Sequence, residues 1–262
     1  MVIDFHAHIY PEKIAAKAIV SIGEFYSLTA SRSGTTEDLL SRGKQGGIDR
    51  FVVFSAAAVP GQVSSINSYI ASVCAEHPEF SGFGTIHAEF PGPEPEIRRI
   101  KALGLKGIKL HPDMQKFSID DDRMMKVYDI IRSEGMALVL HTGDYRYTYS
   151  HPARLARVLD AFPGLVVVAA HFGGWSLQDL ALEYLKDRFC YMDVSSSIPF
   201  IGSRRAEELI RIYGADRFLF GSDFPMWDPV ICLEEFLALR LSETDREKIL
   251  WGNALRILEG PR

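Results

Sequence analysis

Cysteine is scarce in this sequence: Cys74, Cys190 and Cys232 are the only three in 262 residues, far apart and without a C-x-x-C pair. That spacing excludes a disulfide framework and a sulfur-rich zinc site, and it fits a reducing cytoplasm. Long apolar runs are missing too. None reaches the ~18 residues that span a bilayer, and Asp4 and His6 interrupt the place where a secretory signal needs an apolar core. A soluble, intracellular protein with no membrane partner is therefore expected. The net charge is -5 and the 29 lysines and arginines are scattered, so no basic stripe marks a nucleic-acid partner. No G-x-G-x-x-G follows the first apolar run, which argues against an open dinucleotide-binding sheet.

What is present is ordinary globular material, 47% hydrophobic and 24% charged, with no internal linker. One domain over residues 1–262 is the expectation. Eight short runs rich in Val, Ile and Phe occupy residues 2–7, 50–56, 80–87, 105–111, 136–141, 165–171, 189–195 and 217–223, with segments of helical period between them. In DDRMMKVYDIIRSEG, for example, Gly135 reads as the residue just past a helix end. Such regular alternation implies parallel strands, because parallel neighbours need a crossover connection. Eight repeats predict an α/β fold of the (β/α)8 barrel type, whose usual size is ~250 residues. The stretch 10–47 is too long for a strand-to-helix loop, so it predicts extra helices after strand 1, placed to cap the barrel mouth. SETDREKILWGNALRILEG predicts a closing helix pair, with Ser242 as N-cap and Asn253 anchoring the last helix.

Two of the eight histidines, His6 and His8, stand two residues apart in DFHAH. Alternate residues of a strand share a face, so both rings point one way. At the C-terminal end of a barrel strand they would lie where barrel enzymes build active sites, and two converging imidazoles suit a divalent metal of zinc type. The pair alone is weak evidence. His141, His171 and Asp223 close the fifth, sixth and eighth runs, and alternation puts His141 on one face with Ala137 and Val139 and Asp223 on one face with Leu219 and Gly221. Any one of them alone reads more readily as a hydrogen-bonded strand-end residue. Five together point to a site, because burying several titratable groups without function is costly.

These residues sit in motifs that resemble the amidohydrolase superfamily of metal-dependent barrels. The resemblance is in particular to its amidohydrolase-2 branch, which includes relatives of aminocarboxymuconate-semialdehyde decarboxylase. The resemblance runs along the whole chain through DFHAH, GIKLHP, LHTG, AAHFGG, FGSDFP and WGNALRIL. It implies one catalytic divalent metal, zinc first with manganese or iron as alternatives, bound by His6, His8, His141 and Asp223. It also implies His171 beside the coordinated water as acid, base or orienting group, with Asp223 accepting a proton. Asp4 and Asp193 are candidate partners for the other ring nitrogens. In KLHP, Lys109 and His111 share parity and should both reach the barrel mouth; the pattern resembles the mononuclear branch, so Lys109 is expected to stay an unmodified amine in reach of substrate, or to pack. His111 either contacts substrate or satisfies a loop carbonyl.

The segment TGDYRYTYSHP offers Arg146 as a two-pronged clamp for a substrate carboxylate and Tyr145, Tyr147 and Tyr149 for stacking. Trp175, after the Gly173-Gly174 turn, reads as a lid or packing residue at the mouth. The expected activity is hydrolysis of a small ester, lactone or amide that carries a carboxylate. Zinc would serve it by lowering the pKa of water to ~7. Non-oxidative decarboxylation of an aromatic or unsaturated acid is the alternative, and a ligand-binding barrel without turnover is the remote one. A small-molecule substrate is the expected partner, with a homodimer expected by analogy.

Overall fold

A computed structural model of the protein describes residues 1–259. Its strands are β1 (Ile3–His8), β2 (Arg50–Phe54), β3 (Phe80–Gly84), β4 (Gly107–Leu110), β5 (Ala137–Leu140), β6 (Val167–Ala169), β7 (Tyr191–Asp193) and β8 (Phe218–Leu219). They form one sheet in sequence order, with helices in the connections, and the recorded pairings are parallel. Strand β8 returns to β1 through Phe5 N to Phe220 O at 2.8 Å and through a parallel bridge between Ala7 and Phe224. This is the expected (β/α)8 barrel. Among the described residues, no helix is long and apolar enough to cross a membrane.

The chain divides into two compact units. The first holds Met1–Ser55, Val73–Ser81 and Val194 onward. In it β1 pairs with β2, and the register slips between Asp4 and Ala7. Two helices, Glu12–Tyr26 and Thr36–Gly46, fill the long stretch after β1, as its length demanded. The loop joining them donates Ser31 N to Met226 O and Arg32 N to Pro225 O, so it lies over the segment that follows β8. At the other end, the Ser242 hydroxyl caps its helix by accepting from Asp245 N at 3.1 Å. A π-helical turn, Lys248–Gly252, leads into the last helix. Asn253 is fully buried and donates to Ala215 O and Phe218 O at 2.8 and 2.7 Å, tying that helix to β8.

The second unit holds Ala56–Ser72 and Gly82–Asp193. Its strands β4 to β7 carry Ile108, Leu138, Val139, Val168 and Met192 into a core with no measurable exposure. Apolar residues on successive positions, rather than alternate ones, are what a strand buried on both faces requires. The helix Asp122–Ser133 ends where Gly135 adopts φ +66°, the left-handed conformation that glycine takes without strain.

The strands are shorter than the apolar runs. His141 lies one residue beyond β5, His171 two beyond β6 and Asp223 four beyond β8. His171 and Asp223 also have φ values of +59° and +63°. The period of two ends where φ turns positive, so strand parity does not set the direction of either side chain. Hydrogen-bonded turns do.

Candidate metal centre

In the first unit, His6 Nε2 and His8 Nε2 stand 3.3 Å apart. Asp223 Oδ1 is 3.3 Å from the former and 3.5 Å from the latter. The spacing decides what the trio suits. Ligands ~2.0–2.1 Å from a tetrahedral ion lie about 3.3–3.4 Å from each other, so these three atoms have the dimensions of one face of a zinc-type site. Two imidazole nitrogens and one carboxylate oxygen are also the right donor chemistry. Sequence parity brought the histidines together; a turn brings Asp223. The Asp223 N–H donates to His6 O at 2.8 Å, and His8 N–H donates to Phe224 O at 2.7 Å. Gly221 allows the approach, since a Cβ there would lie 2.9 Å from His6 Cβ.

Around this trio the rings are held on several sides. Phe54 meets His6 and His8 edge-on, with centroids at 5.1 and 4.9 Å. His6 Nδ1 contacts Ser195 Oγ at 3.3 Å. Ser195, rather than Asp4, is therefore the partner of the second His6 nitrogen. Asp4 works on the backbone instead, accepting from His6 N and Ser222 N, each at 3.0 Å, and from Ser222 Oγ at 2.5 Å. Its burial raises the carboxyl from 3.8 to about 6. Burial, and then the charge of Asp223, raise the Tyr10 hydroxyl. Ser196 Oγ donates to Asp223 Oδ2 at 2.5 Å.

In the second unit, His141 and His171 meet through Nδ1 and Nε2 at 3.1 Å. Both are buried, at 2% exposure each. Asp193 Oδ1 accepts the His171 backbone N–H at 3.0 Å and lies 3.9 Å from its ring Nδ1. So Asp193 fixes the turn that carries His171 and also faces its ring at ion-pair distance. His111 stacks on His141 with centroids 4.0 Å apart, and its Nδ1 accepts from Met114 N, which makes it the cap of a short helix. Lys109 is wholly buried. Trp175 stands 6.3 Å from His141, centroid to centroid. Arg146 forks onto Asp144, at 2.6 Å for the closest contact, and its guanidinium lies 5.4 Å from the Tyr147 ring and 5.7 Å from the Trp175 ring. Tyr147 and Tyr149 stack at 6.4 Å, while Tyr145 is 70% exposed.

Asp113 is the residue of this group that the sequence did not announce. It follows KLHP directly, its side chain is sealed from solvent, and its Oδ2 is 3.8 Å from His141 Nε2. Burial raises its carboxyl to about 6, against the pull of nearby Ser150, yet neither oxygen accepts a hydrogen bond of regular geometry. Ser195, Ser196, Ser222 and Trp227 were likewise missed in the first unit. The only sequence signal was the serine run after DV at the end of the seventh apolar stretch.

Solved structures of similar fold cover nearly the whole chain. An uncharacterised TIM-barrel protein from Bordetella bronchiseptica is 23% identical over 99% of this chain and 98% of its own, with a TM-score of 0.83. A dihydroxybenzoic acid decarboxylase from Polaromonas, solved with bound manganese and the inhibitor 2-nitroresorcinol, is 17% identical over 100% and 97%, TM-score 0.75. A probable 2-pyrone-4,6-dicarboxylic acid hydrolase from Acinetobacter baumannii is 16% identical over 98% and 99%, TM-score 0.73. The Amidohydrolase family profile matches residues 3–260. Its extent, from the first strand to the final helix, shows that the chain belongs to the amidohydrolase family.

Proposed function

We propose that the protein is a metal-dependent hydrolase of small, carboxylate-bearing esters, lactones or amides. The observation that carries this reading is the 3.3–3.5 Å spacing of His6 Nε2, His8 Nε2 and Asp223 Oδ1. Those three would hold one divalent cation, zinc first with manganese or iron as alternatives, and His141 is the proposed fourth ligand. Support for His141 comes from the family's order of ligands, His-x-His, His and Asp, which the sequence repeats. The cation supplies Lewis-acid polarisation of a substrate oxygen.

The remaining work belongs to the chain's own groups. Asp223 accepts a proton from the attacking water, and His171, whose ring and backbone are both anchored, holds that water or returns a proton to the leaving group. Phe54 packs edge-on against both imidazoles, which restricts how the two rings can turn. Arg146 is pre-oriented by Asp144 and by the Tyr147 and Trp175 rings, and it is proposed to receive the substrate carboxylate. Lys109, His111 and Tyr145 are the further proposed substrate contacts. The cytoplasm is the proposed compartment, from the number and spacing of the three cysteines in the sequence. A homodimer with a small-molecule substrate as its sole partner is also proposed.

Non-oxidative decarboxylation is the second reading, favoured by the manganese-containing decarboxylase of the same fold. There the bond from ring carbon to carboxylate breaks, carbon dioxide leaves, and a proton from His171 or Asp223 takes its place on carbon. One experiment separates the two. Protein of measured metal content is offered lactones, esters, amides and hydroxylated aromatic acids in water enriched in oxygen-18. Hydrolysis incorporates the label into the acid product. Carbon dioxide release with no label in the organic product rejects the hydrolase reading, and inactivity of fully loaded protein on every compound rejects both.

A further inference from the structure

Asp223 turns its two oxygens to different neighbours. Oδ1 faces His6 and His8, while Oδ2 accepts the Ser196 hydroxyl. The Ser196 oxygen in turn accepts the Trp227 indole N–H at 2.7 Å. Proton directions along this chain are forced. An indole nitrogen only donates, so Ser196 Oγ must be the acceptor there, and an ionised carboxylate only accepts, so the hydroxyl proton points at Asp223. Each donation polarises the next, and a hydroxyl bonded to a carboxylate is roughly twice as strong as a neutral pair.

The relay is built rather than incidental. Ser196 has φ +49°, a left-handed conformation that a non-glycine residue keeps only when its surroundings fix it. They do so here: Val194 N donates to Leu219 O at 3.1 Å, and Ser197 Oγ donates to Ser195 O at 2.9 Å, so both flanks of Ser196 are tied down. Phe200 braces the Trp227 ring edge-on at 5.6 Å. Ser196 and Trp227 border a cavity of about 340 Å³ that Ile198, Ile231 and Cys232 also line.

We propose that Ser196, oriented by Trp227, is a positioning residue that occupies Asp223 Oδ2 and so presents Oδ1 alone to the cation. This rests on the metal-centre reading above. A carboxylate bound through both oxygens would have to rotate, and rotation breaks the Ser196 bond. The relay therefore selects one-oxygen ligation and keeps the carboxylate plane fixed toward His6 and His8. Partners of this kind commonly contribute 10–100-fold to metal affinity.

The test titrates metal-free protein with manganese and follows free and bound ion by electron paramagnetic resonance. Two variants remove the hydroxyl with opposite effects on the backbone: Ser196→Ala keeps the strain at φ +49°, and Ser196→Gly relieves it. Both are expected to bind manganese about 10–100-fold more weakly than wild type, with a changed bound-ion spectrum. Trp227→Phe is expected to move affinity in the same direction by less. Unchanged affinity and spectrum in both serine variants would overturn the proposal. So would a wild-type result for Gly beside a weakened Ala, since that pattern belongs to the backbone. If Ala does not fold, Gly carries the comparison. Failure of wild type itself to bind manganese, zinc or iron defeats the metal-centre reading before any variant is compared, so the two failures are distinguishable.

Discussion

Replacing Asp4 with asparagine separates the charge of this residue from its hydrogen bonds. The carboxyl is fully buried and accepts three hydrogen bonds, from His6 N, Ser222 N and Ser222 Oγ. Those bonds favour the anion, but burial outweighs them and sets the folded value near 6 against 3.8 unfolded. An acid with a raised folded pKa binds its proton more tightly in the folded state, so ionisation destabilises the fold. Stability from this group is complete below pH 3.8, declines as pH rises, and is lost once pH passes about 6. At ~1.4 kcal/mol per pH unit the interval corresponds to about 3 kcal/mol. Asp4→Asn keeps an oxygen for the two backbone donors and offers its amide to Ser222 Oγ, which can turn to accept. Urea unfolding of chelator-treated wild type and variant at several pH values from 4 to 7.5 should show the variant gaining about 3 kcal/mol relative to wild type across that range. Cation must be absent, because a nearby positive charge would pull the carboxyl back down. Parallel pH curves, or a variant much weaker than wild type at pH 7.5, would refute the reasoning and show that the three bonds outweigh burial.

Gly221→Ala forces a Cβ to 2.9 Å from His6 Cβ, so β8 and β1 must separate beside the histidine pair. It should cost roughly 1–3 kcal/mol in chemical unfolding and weaken metal binding in calorimetry, and unchanged values in both would refute the close-approach argument. Gly143→Ala meets Gly174 Cα at 2.3 Å with φ at +79°. Overpacking and left-handed strain together should cost roughly 2–5 kcal/mol by the same unfolding assay. Asn253→Ala strips two buried carbonyls, Ala215 O and Phe218 O, of their donor. A loss of roughly 2–4 kcal/mol is expected, visible as a lowered thermal midpoint with the catalytic pH profile unmoved.

The barrel was legible because its evidence is repetitive. Eight apolar runs at similar intervals, each separated by helical period, leave few topologies, and the observed strand order is the plainest of them. His6 and His8 were legible for a local reason, since both lie inside β1 where alternation holds. The second ring nitrogen of His6 was not. Its contact is with Ser195, 189 positions along the chain, and no spacing rule links them. Asp4 looked like the ring partner because it shares a face with His6; the structure gives it to Ser222 and the backbone instead. Arg146 was read as a clamp for a substrate carboxylate, and its fork is oriented by Asp144 two residues earlier. A charged pair within one loop is invisible to periodicity and depends on how the loop turns.

Where alternation stops, a second regularity takes over. Six non-glycine residues among those described have positive φ, and four of them, His171, Phe172, Ser196 and Asp223, follow β6, β7 or β8 by no more than four residues. Left-handed backbone costs such residues of order 1–3 kcal/mol each, so four at strand ends need a local reason. Each unit supplies one from its own hydrogen bonds. In the second, Asp193 takes the His171 N–H on its carboxylate and the Phe172 N–H on its carbonyl. In the first, Asp223 N–H goes to His6 O, and Phe224 N–H goes to Ser222 Oγ, whose own proton is directed to Asp4. The strain is thus held by the same acidic residues, Asp4 and Asp193, that seemed from sequence to serve the imidazoles directly. They act one step further back, on the turns that aim His171 and Asp223. A carboxylate that fixes a turn constrains the position of a functional atom without touching it. Substituting it is therefore expected to disturb geometry first and ring protonation second.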